Sequence, residues 1–325
     1  MSSYEPPYTI TTKMLALSTE IGEALTKLEY EENRIITPQL RKINRIKTIA
    51  GTLEIEGNFI GEEKITALLE GKRVLGTYEE ILEVEGAIEA YRAFESYGFD
   101  SLDDLLRAHK LLMKGILKNA GSFRSINVGV GNHEGVSHVA PPHGVVPDLM
   151  KQLFTWLQKS DEHLLIKSCV FHYEFEFIHP FSDGNGRIGR LWQSVILYHW
   201  RKVFNAIPTE SMIRNHQERY YQALEEAGEL GESTPFIEFM LEVILETIQK
   251  VGNRVGNRVG NELSANQQQI ILALRDNPKL SAQKLSEIIG ISKRKIEENL
   301  AKLKGKGMVQ RIGGTRGYWE VSDEV

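Results

Sequence analysis

The chain contains 325 residues, of which 41% are hydrophobic, and its formal net charge is −5. The length predicts about two domains, and the hydrophobic content is sufficient for a buried core. The net negative charge of the whole chain does not favour binding to nucleic acid. The single cysteine, Cys169, excludes an internal disulfide, and no run of eighteen apolar residues predicts a membrane-spanning helix. Residues 1–7 lack the basic and apolar regions of a secretory signal, which together with the one cysteine predicts a reducing, cytoplasmic location.

Most of residues 10–250 is predicted to be helical because apolar side chains recur there at helical spacing. The segments with this pattern contain Leu17, Ile21, Ala24, Leu25 and Leu28; Leu102, Leu105, Leu106, His109 and Leu112; and Ile237, Met240, Leu241 and Ile244. Glycine and proline interrupt the pattern without producing regular strands. The sequence therefore predicts a mainly α-helical bundle.

Residues 121–150 predict a loop with one short β-hairpin. The alternation over residues 126–130 suits a short strand. The pair Pro141-Pro142 would end the hairpin, because proline cannot donate to a strand ladder.

The segment 179–190 reads His-Pro-Phe-Ser-Asp-Gly-Asn-Gly-Arg-Ile-Gly-Arg and places several reactive groups together. His179 is a candidate general base, because an imidazole with a pKa near ~6.5 can accept a proton from a hydroxyl at neutral pH. Pro180 should end the preceding helix near His179. Asp183 is a hard oxygen ligand, suited to Mg²⁺ that is shared with substrate phosphates.

The second half of this segment predicts an anion site at the start of a helix beginning at about Asn185. Gly184 and Gly186 let backbone N–H groups turn toward an anion, which the helix N-terminus also favours. Arg187 and Arg190 lie three residues apart, hence on one helix face, where they would neutralise a β- and a γ-phosphate. The segment thus predicts a polyphosphate beside a proton acceptor, although it is neither a Walker P-loop nor a dinucleotide fingerprint.

Residues 251–261 form a four-residue repeat of valine, glycine, asparagine and arginine. Glycine and asparagine disfavour a stable helix, although the valines recur at i and i+4. The repeat predicts a helix end that fades into a flexible linker, with a separate domain over residues 262–325.

Residues 262–325 predict a winged helix-turn-helix. Two amphipathic helices flank a turn at residues 290–292, and two alternating strands follow around residues 313–314. Ser292 is the expected N-cap of the second helix, which opens with the basic residues 293–295.

The charge of this domain favours an acidic partner only modestly. From residue 265 onward, eleven lysines and arginines oppose seven aspartates and glutamates. A basic second helix and wing would suit DNA phosphates, yet winged helices also contact proteins. Both kinds of partner are therefore left open.

The segment 179–190 resembles the signature of the Fic family, His-Pro-Phe-x-(Asp/Glu)-Gly-Asn-Gly-(Arg/Lys)-x-x-Arg, at every fixed position. The resemblance covers roughly residues 10–250 and implies a Fic-type helical bundle, with an N-terminal helical region over residues 1–100 and a catalytic core over residues 101–250. It implies transfer of AMP from ATP to a Ser, Thr or Tyr hydroxyl of a target protein, with pyrophosphate leaving.

The resemblance also implies roles for individual residues. His179 would deprotonate the target hydroxyl, and Asp183 would hold Mg²⁺ between the α- and β-phosphates. The residues implied to bind the nucleotide are Asp183, Gly184, Asn185, Gly186, Arg187, Arg190 and, by a match to a stretch that lies against adenine in relatives, Tyr220 and Tyr221.

Further expectations follow from the family pattern and from residue chemistry. The phosphotransferase branch that resembles Doc has a lysine at the position of Gly186, so glycine favours nucleotidyl transfer. In relatives the region of residues 121–150 is a flap whose edge pairs with the target segment as an added strand. Phe181 has no polar atom and is expected to anchor in the core, while His172 is expected to pack and hydrogen-bond inside the bundle.

Residues 52–58 resemble the inhibitory motif of the same family, (Ser/Thr)-x-x-x-Glu-(Gly/Asn). Thr52, Glu56 and Gly57 fill its fixed positions. In relatives the glutamate pairs with the last arginine of the signature, which would be Arg190 here. An arginine that is paired to a carboxylate cannot also clamp a γ-phosphate, so the resemblance implies autoinhibition.

Two other functions stay open at the level of sequence. In some relatives the inhibitory glutamate positions a water that removes AMP, so Glu56 would then make the chain a de-AMPylating enzyme. Alternatively, the chain is a DNA-binding regulator whose Fic domain senses a nucleotide. A homodimer is implied by the resemblance alone.

Overall fold

The computed structural model describes residues 4–35, 38–132, 135–261, 264–305, 307–313 and 317–321. The chain divides into two compact units, Met1–Asn253 and Arg254–Val325. Among the described residues, no helix combines the length and the apolar character needed to cross a membrane.

The first unit is a helical bundle with one small hairpin, as the sequence predicts. Its elements are α1 (Thr12–Ile35), α2 (Pro38–Ile55), α3 (Glu62–Leu69), α4 (Tyr78–Arg92), α5 (Leu102–Leu112), β1 (Gly129–Asn132), β2 (Gly135–Val139), α6 (Val146–Lys159), α7 (Leu164–Ile178), α8 (Asn185–Trp200), α9 (Thr209–Asn215), α10 (Gln217–Leu230) and α11 (Thr234–Asn261).

Helices α7 and α8 form the centre of the bundle and pack against each other. Nearly every residue of α7 from Leu165 to Phe175 is buried, and α8 is buried over most of its length. A helix that is apolar on all sides must be enclosed by other elements. The turn between α7 and α8, which carries the signature, is therefore held between two buried helices.

The hairpin of β1 and β2 is antiparallel, and its register shifts between Val130 and Gly131. Strand β1 begins at Gly129, later than the alternation over residues 126–130 suggests. The residues before it make other contacts: the Arg124 N–H donates to the Pro180 carbonyl, and the Ile126 carbonyl accepts from the Arg124 side chain.

Helix α11 continues to Asn261, so the predicted fading of this helix into a linker at residue 251 is wrong for the described backbone. Each glycine costs about 1 kcal/mol relative to alanine in a helix, but the valine spacing matches one helix face. The boundary between the two compact units falls inside the repeat, at Asn253.

The second unit confirms the predicted winged helix-turn-helix. It contains α12 (Ala265–Asp276), α13 (Ala282–Ile289), α14 (Lys293–Gly305), β3 (Val309–Ile312) and β4 (Tyr318–Val321). The Ser292 hydroxyl accepts the Lys295 N–H at 3.4 Å, as expected of an N-cap. Its core is formed by Ile270, Ile271, Leu274, Leu285, Ile296, Leu300, Leu303 and Val309.

Candidate active site

His179 lies at the C-terminal end of α7 in a left-handed backbone conformation, with φ 50° and ψ 60°. It is the sole non-glycine residue with positive φ among the residues that the structure describes. This conformation costs a side chain about 1–2 kcal/mol. Helix α7 ends at Ile178 and α8 begins at Asn185, which confirms both boundaries predicted from Pro180 and the glycines.

The turn after His179 is fixed by its own side chains. The Phe181 side chain is fully buried, as predicted. The Asn185 amide donates to the Phe181 carbonyl and accepts the Phe181 N–H, both at 2.9 Å. Since these bonds occupy the amide, phosphate contacts here would come from backbone N–H groups. Gly184 provides no side-chain cap for α8, so the first turn of the helix presents those groups to an anion.

His109 of α5 contacts the same turn through ring stacking and hydrogen bonds. Its ring stacks on Phe181 at 3.6 Å between ring centroids and 6° between planes. Nε2 lies 3.0 Å from the Asp183 carbonyl oxygen, and Nδ1 accepts the Gly121 N–H at 2.9 Å. Burial lowers the pKa of His109 to about 4, so the neutral tautomer with the proton on Nε2 satisfies both bonds.

Arg190 is 2% exposed and is held by two residues of the segment 52–58, Thr52 and Glu56. Its Nη2 donates to Glu56 Oε1 at 2.7 Å and to the Thr52 carbonyl at 3.1 Å, while Nε donates to the Thr52 hydroxyl at 3.1 Å. The pair expected from the two motifs is therefore present. Both fixed polar positions of the inhibitory motif, Thr52 and Glu56, contact the same guanidinium.

Gly57 explains why the motif ends in glycine or asparagine. The Asn58 N–H donates to the Leu53 carbonyl and the Gly57 N–H to the Glu54 carbonyl, which is the Schellman pattern of a helix end. Gly57 has φ 90°, a conformation that a side chain disfavours. Glu56 consequently sits at the C-cap of α2, where the helix dipole repels a carboxylate and Arg190 compensates for that repulsion.

Gly186 allows the carboxylate of Glu56 to reach the first turn of α8. A Cβ on Gly186 would lie 2.6 Å from Glu56 Oε1 and 2.9 Å from Arg190 Nη1. Contacts this short would force the carboxylate to move. The absence of a side chain at this position therefore permits the contact between Glu56 and Arg190.

Two carboxyl groups near Arg190 have opposite pKa shifts. Burial acts to raise the pKa of Glu56, but the charge and hydrogen bond of Arg190 outweigh it and hold that pKa below its ordinary value. Burial raises the pKa of Glu176 to about 8, and Glu56 adds to the increase. At neutral pH, Glu56 therefore carries the negative charge that faces Arg190, and Glu176 keeps its proton.

Arg187 is already paired with Glu83, a contact that the sequence did not reveal. Arg187 is 3% exposed, and its Nη1 donates to Glu83 Oε1 at 2.7 Å. The Asn58 amide donates to the other oxygen of Glu83 at 2.8 Å. The segment 52–58 thus contacts both signature arginines, Arg190 directly through Glu56 and Arg187 indirectly through the bond from Asn58 to Glu83.

The Asp183 carboxylate fits a metal that is held jointly with phosphates. Its side chain is 51% exposed, and Oδ1 accepts from the Gly184 N–H at 2.6 Å and from Arg187 Nη2 at 3.3 Å. Within the described part of the chain, no group of three or more His, Cys, Asp or Glu side chains is placed to hold a metal alone. One exposed carboxylate matches Mg²⁺, which keeps several waters and takes the remaining ligands from substrate phosphates.

The two tyrosines proposed for the nucleotide differ in exposure. Tyr220 is 1% exposed, and its hydroxyl lies 3.1 Å from His172 Nε2. His172 Nδ1 lies 2.7 Å from the Gln193 side-chain oxygen, so His172 packs and hydrogen-bonds inside the bundle, as expected. Tyr220 is thus a core residue in this structure, whereas Tyr221 is 43% exposed and stays the candidate for adenine.

Comparisons with known proteins point to one family. The model of the Fic/DOC family matches residues 99–197, and a model for winged helix-turn-helix DNA-binding domains matches residues 263–310. The crystal structure of a Fic family protein from Desulfovibrio desulfuricans G20 is 38% identical, with a TM-score of 0.80 over 98% of this chain and 99% of that chain. The structure of Fic-1 (residues 134–508) from C. elegans is 22% identical with a TM-score of 0.59, covers 76% of this chain and 72% of that chain, and shows the shared fold alone.

Among curated proteins, Protein adenylyltransferase Fic from Culex quinquefasciatus is 29% identical over 208 residues, which is 61% of this chain and 39% of that protein. The protein of the same name from Aedes aegypti is 28% identical, over 61% of this chain and 40% of its own length. The chain thus spans about two fifths of the length of these curated relatives. The match to the D. desulfuricans protein extends over nearly the whole chain, and by this measure the chain belongs to the Fic family and ends in a winged helix domain.

Proposed function

We propose that this protein transfers AMP from ATP to a Ser, Thr or Tyr hydroxyl of a target protein and that the described structure is its autoinhibited state. The observation that carries the proposal is the Glu56–Arg190 pair inside a complete signature. The names of the curated relatives support the transfer of adenylate. The geometry supports the inhibition, because the carboxylate lies where the arginine would meet a phosphate.

In the proposed reaction, His179 accepts the proton of the target hydroxyl. The hydroxyl oxygen forms a bond to the α-phosphorus, and the bond from that phosphorus to the α,β-bridging oxygen breaks. Pyrophosphate leaves with the electron pair. The first-turn N–H groups of α8 and the released guanidinium of Arg190 stabilise the charge on the phosphates. Asp183 would hold Mg²⁺, which when bound supplies positive charge that neutralises the phosphates.

Autoinhibition follows from competition for one guanidinium. Arg190 is enclosed and already donates to Glu56 and to Thr52. A γ-phosphate that entered would have to displace the Glu56 carboxylate, and until then the two negative charges repel each other. The inhibition is therefore overcome by anything that withdraws the C-terminal end of α2.

Labelled ATP tests the reaction directly. We expect Glu56→Gly protein to transfer the α-label to protein and not the γ-label, and we expect His179→Ala in that background to lower the transfer by roughly 10²–10⁴-fold, the usual contribution of a general base. Glu54→Gly is the matched control, because Glu54 pairs with Arg214 at 2.6 Å, away from the signature arginines. Transfer of the γ-label would indicate phosphorylation, and no transfer would reject the proposal.

We further propose that the winged helix domain binds duplex DNA. Its α14 exposes Lys293, Arg294 and Lys295 at the start of the helix that enters the groove in this motif. Two of these charges are partly engaged, since Lys293 lies 3.8 Å from Glu297 and Arg294 lies 3.0 Å from Glu298. Binding of the full chain to duplex at low salt, weakened by Lys295→Glu and by added salt, is the expected result. No binding at low salt would reject DNA as the partner.

A further inference from the structure

Arg124 is a buried arginine whose side chain donates to main-chain carbonyl oxygens. It is 3% exposed. Nε donates to the His179 carbonyl at 2.8 Å, and Nη2 donates to the Ile178 carbonyl at 3.4 Å. Nη1 donates to the Ile126 carbonyl at 2.9 Å, and Nη2 also donates to the Pro141 carbonyl. Burial of a charge is costly unless its donors are satisfied, and here four carbonyls supply the acceptors.

These four carbonyls belong to two different parts of the site. Ile178 and His179 are the last residue of α7 and the strained residue that follows it. Ile126 lies before β1 and Pro141 lies after β2, so they are the two legs of the hairpin. The planar guanidinium therefore joins both legs of the hairpin to the peptide that carries the candidate base.

The main chain adds two bonds to this connection. The Arg124 N–H donates to the Pro180 carbonyl at 2.9 Å. Three residues earlier, the Gly121 N–H donates to His109, whose other nitrogen holds the Asp183 carbonyl. The segment of residues 121–124 is thus bound to the α7–α8 turn directly at Arg124 and through His109 at Gly121.

We propose that Arg124 is a positioning residue that couples the hairpin, the expected docking site of the target segment, to the backbone of His179. This inference rests on the proposed function, because it concerns the presentation of a target hydroxyl to the base. A left-handed conformation at a histidine persists only when its surroundings determine it. The bond from Nε to the His179 carbonyl helps to hold His179 in this conformation. The bonds to the Ile126 and Pro141 carbonyls fix the position of the hairpin relative to His179.

Lysine cannot replace this arrangement. Its ammonium is a single point with three donors, whereas the guanidinium spreads five donors over a plane. A lysine at this position retains the buried charge. Its single ammonium can bind the carbonyls at the end of α7 or those of the hairpin, but not both pairs at once. Arg124→Lys therefore separates the geometric role from the charge.

The test compares three variants in the Glu56→Gly background: Arg124→Lys, Arg124→Ala and the control Arg107→Ala, which removes an arginine of α5 whose side chain is 47% exposed. Amide hydrogen exchange is measured over residues 124–128, 139–142 and 178–181. The dissociation constant of ATP and the rate of α-label transfer to protein are measured on the same samples.

We expect Arg124→Lys to speed exchange in all three segments together, to leave the dissociation constant of ATP within about threefold, and to slow transfer by about 10²-fold, the usual effect of a misplacement near 1 Å. A purely structural role would weaken ATP binding and transfer in parallel, and that result would overturn the proposal. The proposal would also be overturned if Arg124→Lys showed the same amide exchange, or the same rate of α-label transfer, as the Glu56→Gly parent. If Arg124→Ala unfolds, the decision rests on Arg124→Lys, which keeps the buried charge.

The failure of the proposed function gives a different result. If the Glu56→Gly parent transfers no AMP, the reaction is wrong, yet the exchange of the three segments still reports whether Arg124 joins them. If the parent is active and only the hairpin segments of Arg124→Lys exchange faster, the reaction stands and the coupling to His179 is refuted.

Discussion

The buried arginines at the two ends of the site have partners of different kinds. Arg190 and Arg187 are 2% and 3% exposed and donate to the carboxylates of Glu56 and Glu83. Arg124 is 3% exposed as well, but it donates to main-chain carbonyls around His179. A phosphate can replace a carboxylate as the partner of a guanidinium. The donors of Arg124 are instead buried and are satisfied by main-chain carbonyls of the fold itself.

This difference distinguishes two ends of the site. At the adjustable end, around Arg190 and Arg187, the acidic partners of the guanidinium groups can be replaced. At the base end, around His179, the partners are parts of the main chain. At the arginine end, the same hydrogen-bond donors serve a carboxylate in the inhibited state and would serve a phosphate in the active state. At the base end, the partners of Arg124 are main-chain carbonyls, so we expect the same interactions in both states. The fold thus keeps the base in place while the phosphate end is occupied.

The largest effect is expected from Glu56→Gln at the adjustable end. The substitution leaves the charge of Arg190 buried without its carboxylate, which should lower the free energy of unfolding by about 3 kcal/mol in the absence of nucleotide. ATP should restore much of the loss, since it supplies the missing anion. Chemical denaturation with and without ATP measures both quantities. Equal loss in Glu54→Gln would show that the pair with Arg190 is not the cause.

The next effect concerns pH and Glu176. Its pKa is raised to about 8, above the ordinary 4.5, so the folded state holds a proton that the unfolded state releases. Stability should therefore be greatest below pH 4.5 as far as this group is concerned and should fall as pH rises toward 8. Within this window we expect wild type to lose about 1.4 kcal/mol per pH unit relative to Glu176→Gln.

The control for this pH effect is the Glu56→Gln background. Removing the charge of Glu56 removes one cause of the raised pKa of Glu176, so the window should move to lower pH. Denaturation curves at several pH values measure the shift. Parallel curves for wild type and Glu176→Gln would contradict the assignment of a protonated Glu176.

A smaller effect is expected from Gly186→Ala. The added Cβ would meet Glu56 Oε1 at 2.6 Å and should destabilise the inhibited fold by about 1 kcal/mol. In the Glu56→Gly background the same substitution should cost less, because its nearest neighbour is gone. A double-mutant cycle in urea measures the coupling. Additive losses would mean that Gly186 does not face Glu56 in solution.

The smallest effect is expected from Glu83→Gln. Arg187 would lose one carboxylate but keep Asp183 at 3.3 Å, so the affinity for ATP should rise by about threefold. Calorimetric titration of ATP provides the measurement, with Glu89→Gln of the same helix as the control, since Glu89 pairs with Lys114 on the surface. A weaker affinity for ATP would mean that Glu83 holds Arg187 in its productive position.

Much of the site could be predicted because its sequence signals are local. Pro180 and the glycines around Asn185 fix the helix ends through backbone preferences, which a sequence shows directly. The burial of Phe181 follows from its lack of polar atoms. The contact between Glu56 and Arg190 required the resemblance to known motifs, because their separation along the chain carries no signal of its own.

Other contacts could not be predicted because their partners are main-chain groups or common surface types. The carbonyls bound by Arg124 and His109 belong to no particular residue type. Glu83 lies in an acidic helix, where a glutamate normally indicates a solvated face. The composition of residues 251–261 predicts a linker, yet the backbone of this repeat continues helix α11. The recurrence of valine at i and i+4 is compatible with that helix.

The central claim, that Glu56 and a terminal phosphate compete for Arg190, is tested most directly by comparing ATP and AMP binding to wild type and Glu56→Gly in parallel calorimetric titrations. The account predicts that the substitution tightens ATP binding by about tenfold or more and leaves AMP binding within about twofold, because AMP has no γ-phosphate to meet Arg190. Equal changes for ATP and AMP, or no change for ATP, would contradict it.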